Sequence, residues 1–496
     1  MLPVTERKLF WEAHNSVCVG RSYVIHGPYQ SGKTSFLWAL HSELQKKNPE
    51  TVKYFDISDV VPRIRATQDK IKIVEELSEF LSVRIFGEAL SWNLLTAKLQ
   101  DLPGTPRYYL LVDEFQSIFD SENLLEVAKN FFRNLASKPG VSYVGVGTFR
   151  LKELFDADET TMESPFNKAI FASMPPFSLE EMNRLFELYQ EHCDTAGISP
   201  RIRDNIVRES GGHPASFMIL LKLTLQFRPI ETNWSRLLKE NVDHLLNGTQ
   251  KKLRTHLQSM DTEQKVRVRD LTKKQLNDWE FTSDDFNRVL LNIGVIYTSD
   301  ERTARFTSGI ILRICIDTLW PRPRNRLSRE EIGDAINILG LGLQCISPPT
   351  VVHPQVCNKN GPQENAFQVA LYAALNGLLP TTMMCLFEAK AKNKDHIDLM
   401  LTENSQTRFG YELKVNAITK SDFKSHLEQA SKYAKHYKVP IYLVNFYLKG
   451  HLHPVQLTGI PHNVFVVNVQ HSHDCKEFVI TAPNGDKTTV MPNDQS

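Results

Sequence analysis

The chain has 496 residues, of which 41% are hydrophobic and 23% charged, a composition typical of folded globular domains. The 58 Lys and Arg residues nearly balance 57 Asp and Glu, so the net charge of +1 excludes a uniformly basic coat but allows a local basic patch. Seven scattered cysteines without a C-x-x-C pair argue against a disulfide framework. Neither a signal peptide nor a membrane-spanning apolar run is present, and we expect an intracellular protein without a membrane partner.

The N-terminal part of the chain alternates strand-like and helix-like patterns. Apolar strand patterns lie at 23–25, 52–57, Tyr108–Asp113 and Val141–Gly147, with helical patterns between them at 69–81 and Glu122–Ala136. This alternation predicts a parallel α/β sheet covered on both faces, and we place such a core at 1–175.

The remainder of the chain is predicted to form four segments. They are a helical lid at 176–244, a winged-helix-like segment at 245–320, a basic and proline-rich linker at 321–335, and a smaller α/β unit at 336–496. In the last segment, helices are predicted at 363–376 and Lys420–Tyr437, and strands at 383–389, 396–401, 409–415, 441–446 and 464–469.

The sequence GPYQSGKT (27–34) stands between the first predicted strand and a helix, and it matches the phosphate-binding pattern G-x-x-x-x-G-K-[ST]. Gly27 and Gly32 allow the backbone to curl around a phosphate, and the helix that follows adds its positive end. Lys33 is predicted to reach the phosphates, and the Thr34 hydroxyl to hold Mg²⁺. The predicted nucleotide-binding residues of this stretch are Gly27, Gln30, Ser31, Gly32, Lys33, Thr34 and Ser35.

Acidic residues follow the strand Tyr108–Asp113, at the edge where ligands of α/β sheets collect. Asp113 is predicted to hold Mg²⁺ through water, and Glu114 to orient or deprotonate the attacking water.

Three further residues are candidates for contacting the nucleotide. Thr148, at the end of the next strand, is predicted to sense the terminal phosphate, although a strand-end cap explains it as well. Arg150 is a candidate arginine finger or a solvated arginine. His213, in Gly-Gly-His-Pro, approaches the nucleotide from the lid or simply belongs to a helix-capping turn.

These motifs resemble those of AAA+-like STAND and archaeal ATPases over about residues 15–320. The resemblance is carried by GPYQSGKT, LLVDE, VGVGT, the SPFN stretch at 164–167, GGHP and FTSGIILRICIDTLWP. It implies ATP (or GTP) and Mg²⁺ as cofactors and self-assembly through the NTPase domain.

A second constellation lies in the C-terminal unit, where one strand carries Asp398 and the next carries Glu412-x-Lys414. Residues i and i+2 of a strand share a face, so Glu412 and Lys414 point the same way, and hairpin pairing brings Asp398 beside them. Two carboxylates suit a hard cation such as Mg²⁺, and the lysine suits a role on the attacking water. An exposed strand with its charges on one face is the alternative.

This constellation resembles the PD-(D/E)XK nuclease fold. The resemblance implies an additional acidic residue at Glu364 and a DNA-facing helix that carries Gln429 and Tyr433, with Lys424, Lys432 and Lys435 contacting phosphates. An amphipathic surface explains Gln429 and Tyr433 equally. No Pro precedes Asp398, so Asp395 is the alternative ligand, although strand register favours Asp398. His471–Cys475 is a weaker candidate for a soft-metal site.

The combination of both parts resembles Crinkler-type effectors and the retrotransposon-hot-spot proteins, over nearly the whole chain. SPFN, FTSGIILRICIDTLWP, YELKVN, HLEQASKYAK and IYLVNFY carry this resemblance. It implies a nucleotide-switched toxin that cleaves DNA in a nucleus and causes cell death. Because only 26 residues precede Gly27, we expect the family's ubiquitin-like header to be missing. The alternatives are a DNA-binding or signalling switch with a degenerate nuclease, and a transposon-associated or host-defence ATPase–nuclease.

Overall fold

The computed structural model describes the greater part of the chain, and the described residues group into two units. It describes residues 4–65, 67, 69–103, 107–154, 169–192, 198–226, 251–274, 276–298, 300, 302–320, 326–328, 330–352, 357–358, 361–380, 382–390, 396–403, 406–450, 457 and 459–493. Unit 1 comprises Met1–Ile198, Arg203–Leu220 and Asp278–Gly309, and unit 2 comprises Ser199–Ile202, Leu221–Asn277 and Ile310–Ser496. The segment 245–320 therefore contributes to both units, and the predicted domain boundaries stay predictions. The SPFN stretch at 164–167 and Asp395 lie outside the described residues.

A five-stranded parallel sheet organises unit 1. Its strands are β1 (Ser22–His26), β2 (Val52–Asp56), β3 (Tyr108–Asp113), β4 (Val141–Gly147) and β5 (Ala169–Ser173), in the order β2-β3-β4-β1-β5. All four pairings are parallel, so the carboxyl ends of β1, β3 and β4 lie side by side at one edge. The predicted α/β fold with a parallel, P-loop-like sheet is confirmed. The sequence analysis did not predict β5.

Helices cover both faces of this sheet, as the uninterrupted apolar strands require. They are α1 (Lys8–Cys18), α2 (Lys33–Gln45), α3 (Val61–Arg65), α4 (Lys70–Phe86), α5 (Trp92–Gln100) and α6 (Glu122–Ala136), with 3-10 helices at Val4–Glu6, Ile57–Asp59, Phe115–Asp120 and Phe149–Leu154. Phe10, Phe36 and Leu40 belong to the apolar cluster on one side, and Leu81 and Phe132 to the other. Removal of this apolar surface from water is the main stabilisation of the sandwich.

Shorter elements follow the sheet. They are α7 (Leu179–His192), α8 (Pro200–Ser210), α9 (Pro214–Gln226), α10 (Lys251–Ser259), α11 (Thr262–Thr272), β6 (Trp279–Glu280), α12 (Asp285–Asn292), β7 (Ile296–Thr298), β8 (Thr303–Phe306) and α13 (Gly309–Leu319). Strands β6, β8 and β7 form a small antiparallel sheet in unit 1, in that order.

Unit 2 contains a seven-stranded mixed sheet. From residue 335 onward, the helices and strands of this unit are α14 (Ala335–Gln344), α15 (Pro348–Val351), β9 (Cys357–Asn358), β10 (Gly361–Pro362), α16 (Glu364–Leu378), β11 (Met383–Lys390), β12 (His396–Glu403), β13 (Gln406–Val415), α17 (Lys420–Tyr437), β14 (Ile441–Leu448), β15 (Val464–His471), β16 (Phe478–Thr481) and β17 (Lys487–Val490). The sheet order is β11 to β17 in sequence, with β13-β14-β15 parallel and the other neighbours antiparallel. Helix α16 contacts β11, β12 and β13, which places its first turn near the strands that carry Asp398 and Glu412.

Candidate functional site

The loop that joins β1 to α2 has the backbone conformation that its glycines permit. Gly32 caps α2 with φ 88°, in the left-handed region, and Gln30 also has a positive φ of 60°. Gly27 lies so close to the next segment that an added Cβ would be 2.8 Å from the Cβ of Met174. A side chain at position 27 would therefore push the loop away from the chain that follows β5.

A cavity of about 500 Å³ lies against this loop in unit 1. The residues that line it are Val4, Arg7, Tyr29, Gln30, Ser31, Gly32, Lys33, Thr34, Ser35, Phe36, Glu114, Thr148, Phe177, Leu185, Pro214, Ala215 and Met218. All the predicted loop residues except Gly27 thus face one space, together with the first N–H groups of α2, which have no partner within the helix. A pocket with apolar walls and a few converging polar groups is typical of a ligand site.

Lys33 folds back onto its own loop. Its Nζ donates to the carbonyl oxygens of Pro28, at 2.6 Å, and Gly27, at 3.2 Å, and lies 3.3 Å from the Ser31 hydroxyl. Burial lowers the pKa of Lys33 to about 8, although Glu114 and Asp113 oppose this shift. Anionic groups therefore already compensate part of the cost of burying this ammonium.

Asp113 and Glu114 end β3 beside the loop. Asp113 is buried and accepts hydrogen bonds from the Tyr54 hydroxyl and from the Glu114 backbone N–H, each at 2.9 Å. Burial, then the charge of Asp113, raises the pKa of Tyr54, so its hydroxyl stays a donor. Glu114 has φ 47° and lines the cavity. The oxygens of Thr34 and Asp113 are the hard donors that Mg²⁺ prefers, and these two residues would hold it, Asp113 through water.

Thr148 and Arg150 differ in where the structure places them. Thr148 lines the cavity, and its backbone N–H donates to the Gln116 side chain at 3.1 Å. Arg150 lines a different cavity, where its guanidinium lies over the Phe119 ring and 3.8 Å from Glu153. Arg150 is thus placed away from the first cavity, because the 3-10 helix Phe149–Leu154 turns its side chain toward Phe119, and its role at the nucleotide stays a prediction.

His213, just before α9, reaches the loop between β1 and α2. Its Nε2 lies 3.0 Å from the carbonyl oxygen of Tyr29, and its Nδ1 lies 2.9 Å from the Ser216 hydroxyl, which in turn contacts the Ser308 hydroxyl. Since a carbonyl only accepts, Nε2 carries the proton and donates it. Burial lowers the pKa of His213 to about 4, which keeps the ring neutral. His213 contacts the loop backbone while it also stands at the start of α9.

The second constellation is brought together on β12 and β13 of unit 2. Leu399 pairs with Tyr411 across these antiparallel strands, so Asp398 and Glu412 occupy the next position of the hairpin. Asp398 accepts from the Leu413 backbone N–H at 2.6 Å and from the Gln368 amide at 3.1 Å. Glu412 is buried, and its Oε2 has no hydrogen-bond partner among the residues that the structure describes.

Lys414 lies between two carboxylates. Its Nζ is 3.1 Å from Glu412 and 3.0 Å from Glu364, the first residue of α16. Burial disfavours the Lys414 ammonium, but Glu412, Asp398 and Glu364 together outweigh burial and raise its pKa. The lysine is therefore held as a cation, suited to orienting a water or to stabilising a negative charge.

The acids of this cluster favour a bound cation. Burial, followed by the charge of Glu412, raises the pKa of Asp398 well above its usual value, and burial raises the pKa of Glu412 to about 7. Two crowded carboxylates and the buried partnerless oxygen of Glu412 fit Mg²⁺, which needs one or two carboxylates and takes water for the rest. Among the described residues no group of three or more His, Cys, Asp or Glu side chains forms a metal cage.

Helix α17 carries the predicted nucleic-acid contacts, and one of them needs correction. Lys424, Lys432 and Lys435 are exposed. Tyr433 is 1% exposed, and its hydroxyl accepts from the Gln429 amide at 2.7 Å. Tyr433 belongs to the apolar cluster beneath the helix, so its ring is part of the core and does not face a ligand.

The predicted soft-metal alternative at His471–Cys475 is also explained by packing. His471 is buried beside Phe367 and Phe478, and its Nδ1 lies 3.7 Å from the buried Cys475 thiol and 3.0 Å from the Ser472 carbonyl. The imidazole is therefore engaged within the fold.

Among the described residues, three polar side chains that donate hydrogen bonds to the acids of the two sites were not predicted. Tyr54 donates to Asp113, Gln116 contacts both Glu114 and Thr148, and Gln368 donates to Asp398. Gln368 stands one helical turn after Glu364, a spacing that places both on one face of α16 and was visible in the sequence. Tyr54 gave no comparable signal, because the pairing of β2 with β3 brings it to Asp113, whereas Gln116 stands only two residues after Glu114 in the sequence.

Comparison with solved structures shows a loose likeness. A Walker-type ATPase of Pyrococcus abyssi has 14% sequence identity and a TM-score of 0.44, over 62% of this chain and 95% of its own. The ORC2 protein of Aeropyrum pernix has 14% identity and a TM-score of 0.38, over 63% and 92%. Cdc6p of Pyrobaculum aerophilum has 12% identity and a TM-score of 0.34, over 64% and 96%. No protein-family model and no curated protein matches the chain.

The resemblance to PD-(D/E)XK nucleases and to Crinkler-type proteins stays a prediction.

In the part of the chain that the structure describes, none of the helices has the length and apolar character needed to cross a membrane.

Proposed function

We propose that this protein binds and hydrolyses a nucleoside triphosphate, ATP or GTP, at the loop between β1 and α2. The observation that carries the proposal is the convergence of Lys33, Thr34, Glu114 and Thr148 on one cavity in unit 1. Phosphate-binding loops need this combination of backbone N–H groups, a cation, a hydroxyl and an acid.

Each side chain has a role that follows from its position. Lys33 exchanges its contacts with the carbonyls of Pro28 and Gly27 for the phosphates, and Glu114 accepts a proton from the attacking water. His213 braces the loop through the Tyr29 carbonyl. Thr34 and Asp113 would hold Mg²⁺, which would neutralise charge on the transferred phosphoryl group.

The decisive experiment is phosphate release from ATP and GTP by the wild type and by Lys33→Ala, each with Mg²⁺. We expect hydrolysis by the wild type and a loss of at least about 100-fold in the variant, because the phosphates lose their cation. Lys46→Ala, on an exposed lysine just beyond α2, is the control and should behave as wild type. Equal rates for Lys33→Ala and wild type would show that the site is misassigned.

The cluster in unit 2 favours a second activity, Mg²⁺-dependent cleavage of DNA. Asp398 lies on β12, Glu412 and Lys414 lie on β13, and Glu364 begins α16, where its carboxylate contacts Lys414. The exposed lysines of α17 supply positive charge for phosphates. Asp398 and Glu412 would hold Mg²⁺, whose contribution is to polarise a phosphodiester and to acidify a bound water. Lys414 holds a positive charge at the reacting group.

Plasmid nicking in the presence of Mg²⁺ tests this activity with Asp398→Asn, Lys414→Ala and, as a control, Lys449→Ala. Lys449 is exposed and pairs with Glu477, so its variant should cut at the wild-type rate. We expect the two site variants to lose at least about 100-fold in rate. DNA that is bound but not cut by the wild type would instead support the degenerate, switch-like alternative.

The biological outcome of a toxin or effector acting in a nucleus, which the sequence resemblance implies, stays a prediction. Assembly of several copies through the NTPase domain also stays a prediction.

A further inference from the structure

Gln116 connects the two polar residues at the ends of β3 and β4. Its side-chain oxygen accepts from the Thr148 backbone N–H at 3.1 Å, and its side-chain nitrogen donates to the carboxylate of Glu114. A backbone N–H only donates and a carboxylate only accepts, so the two partners together determine which way the amide of Gln116 points.

The end of β4 lacks side chains where Gln116 approaches. A Cβ added at Gly147 would lie 2.3 Å from the Gln116 side-chain oxygen, and one added at Gly145 would lie 2.4 Å from the Phe115 ring. Because both positions are glycine, the 3-10 helix Phe115–Asp120 lies directly against the strand. This contact allows the side chain of Gln116 to span from β3 to β4.

Glu114 is held in a conformation that a non-glycine residue adopts only under constraint. Its φ of 47° is in the left-handed region, which few non-glycine residues adopt. Asp113 fixes its backbone by accepting its N–H, and Gln116 fixes its side chain. Both the backbone and the carboxylate of Glu114 are thus restrained, and the residue lines the nucleotide cavity.

We infer that Gln116 is a positioning residue for nucleotide hydrolysis, which holds the Glu114 carboxylate at a set distance from Thr148. This inference rests on the proposed NTPase activity and deepens it. Gln116 does not line the cavity and acts through Glu114, so it governs the rate of the chemical step and not the binding of the nucleotide.

The experiment compares Gln116→Ala with the wild type in kcat, KM and the Kd of a fluorescent ATP analogue. We expect kcat to fall about 10- to 100-fold, a part of what a general base contributes, while Kd changes less than about twofold. Gln45→Ala, on an exposed glutamine at the end of α2, is the matched control and should leave all three unchanged.

A double-mutant cycle separates positioning from a general structural effect. In the Glu114→Gln background, the added Gln116→Ala change should have little further effect on kcat, because the carboxylate that Gln116 positions is already gone. An equal fall in that background, a kcat close to wild type in the single variant, or a matching rise in Kd would each overturn the inference. Absence of hydrolysis in the wild type would instead overturn the proposed NTPase activity, and the inference with it.

Discussion

His213 is a buried histidine just before α9. Its Nε2 contacts the Tyr29 carbonyl in the loop between β1 and α2, and its Nδ1 contacts the Ser216 hydroxyl within α9. Its pKa of about 4 in the folded protein lies below the ordinary value of 6.5, mainly because burial disfavours the charged ring and also because Lys33 is near. The unfolded chain therefore takes up the extra proton as the pH falls. The stability that neutral His213 contributes is complete above about pH 6.5 and is lost as the pH falls toward 4.

We expect the free energy of unfolding of unit 1 to fall by about 2 kcal/mol between about pH 7.5 and about pH 5 through His213 alone. Urea unfolding of the wild type and of His213→Gln measures it, and the variant should lack this part of the fall. Burial lowers the pKa of His26 to about 3, so His26 contributes an equal fall in the free energy of unfolding in the wild type and in the variant. His473→Gln, on an exposed histidine, is the control. Parallel pH profiles for wild type and His213→Gln would contradict the prediction.

At the scale of elements, sequence patterns predicted most strands of both sheets but not β5, β16 and β17. Helices α6 and α17 and strands β3 and β4 have the predicted bounds, since each combines a clear apolar period with end signals, such as the Thr419 and Asp422 capping box of α17. Strand β17, Lys487–Val490, is mostly exposed and polar. Its strand pairing with β16 comes from the tertiary structure, so the alternation rule had nothing to detect.

Substitution of two glycines by alanine tests, through the free energy of unfolding, how closely neighbouring elements approach each other. Gly145→Ala should destabilise unit 1 by about 1–3 kcal/mol, because the new Cβ would overlap the Phe115 ring. Gly340→Ala should stabilise unit 2 by about 0.5–1 kcal/mol, because Gly340 is inside α14, and the new Cβ would meet Ile480 at an ordinary 3.6 Å. Denaturant unfolding of both variants measures the two changes. The prediction is wrong if both variants shift stability in the same direction.

At the scale of the whole molecule, the chain carries two candidate sites, one for nucleotide hydrolysis in unit 1 and one for phosphodiester cleavage in unit 2. The near-zero net charge averages over unlike segments, because the exposed lysines of α17 are concentrated in unit 2. A nucleotide-switched nuclease would use the first site to control the second, and activity assays on the full chain measure this coupling.

We expect Lys33→Ala to change plasmid cleavage by at least about fivefold and Lys414→Ala to leave ATP hydrolysis unchanged, since hydrolysis would gate cleavage and not the reverse. Both activities are measured on the same full-length preparations, with and without ATP. Cleavage that is indifferent to ATP and to Lys33→Ala would show that the two sites work independently.

The sequence by itself determined the match of 27–34 to a phosphate-binding pattern, the acids after β3 and the Asp398, Glu412 and Lys414 set, because each depends on local spacing along one strand or turn. Only the tertiary structure decided that Arg150 faces Phe119, that Tyr433 is core, and that Tyr54 reaches Asp113. The physical reason is that side-chain direction at the end of a strand or on an amphipathic helix is set by what packs against it. Those neighbours, such as Phe119 beside Arg150, are brought near by the sheet order and not by the spacing of the motif.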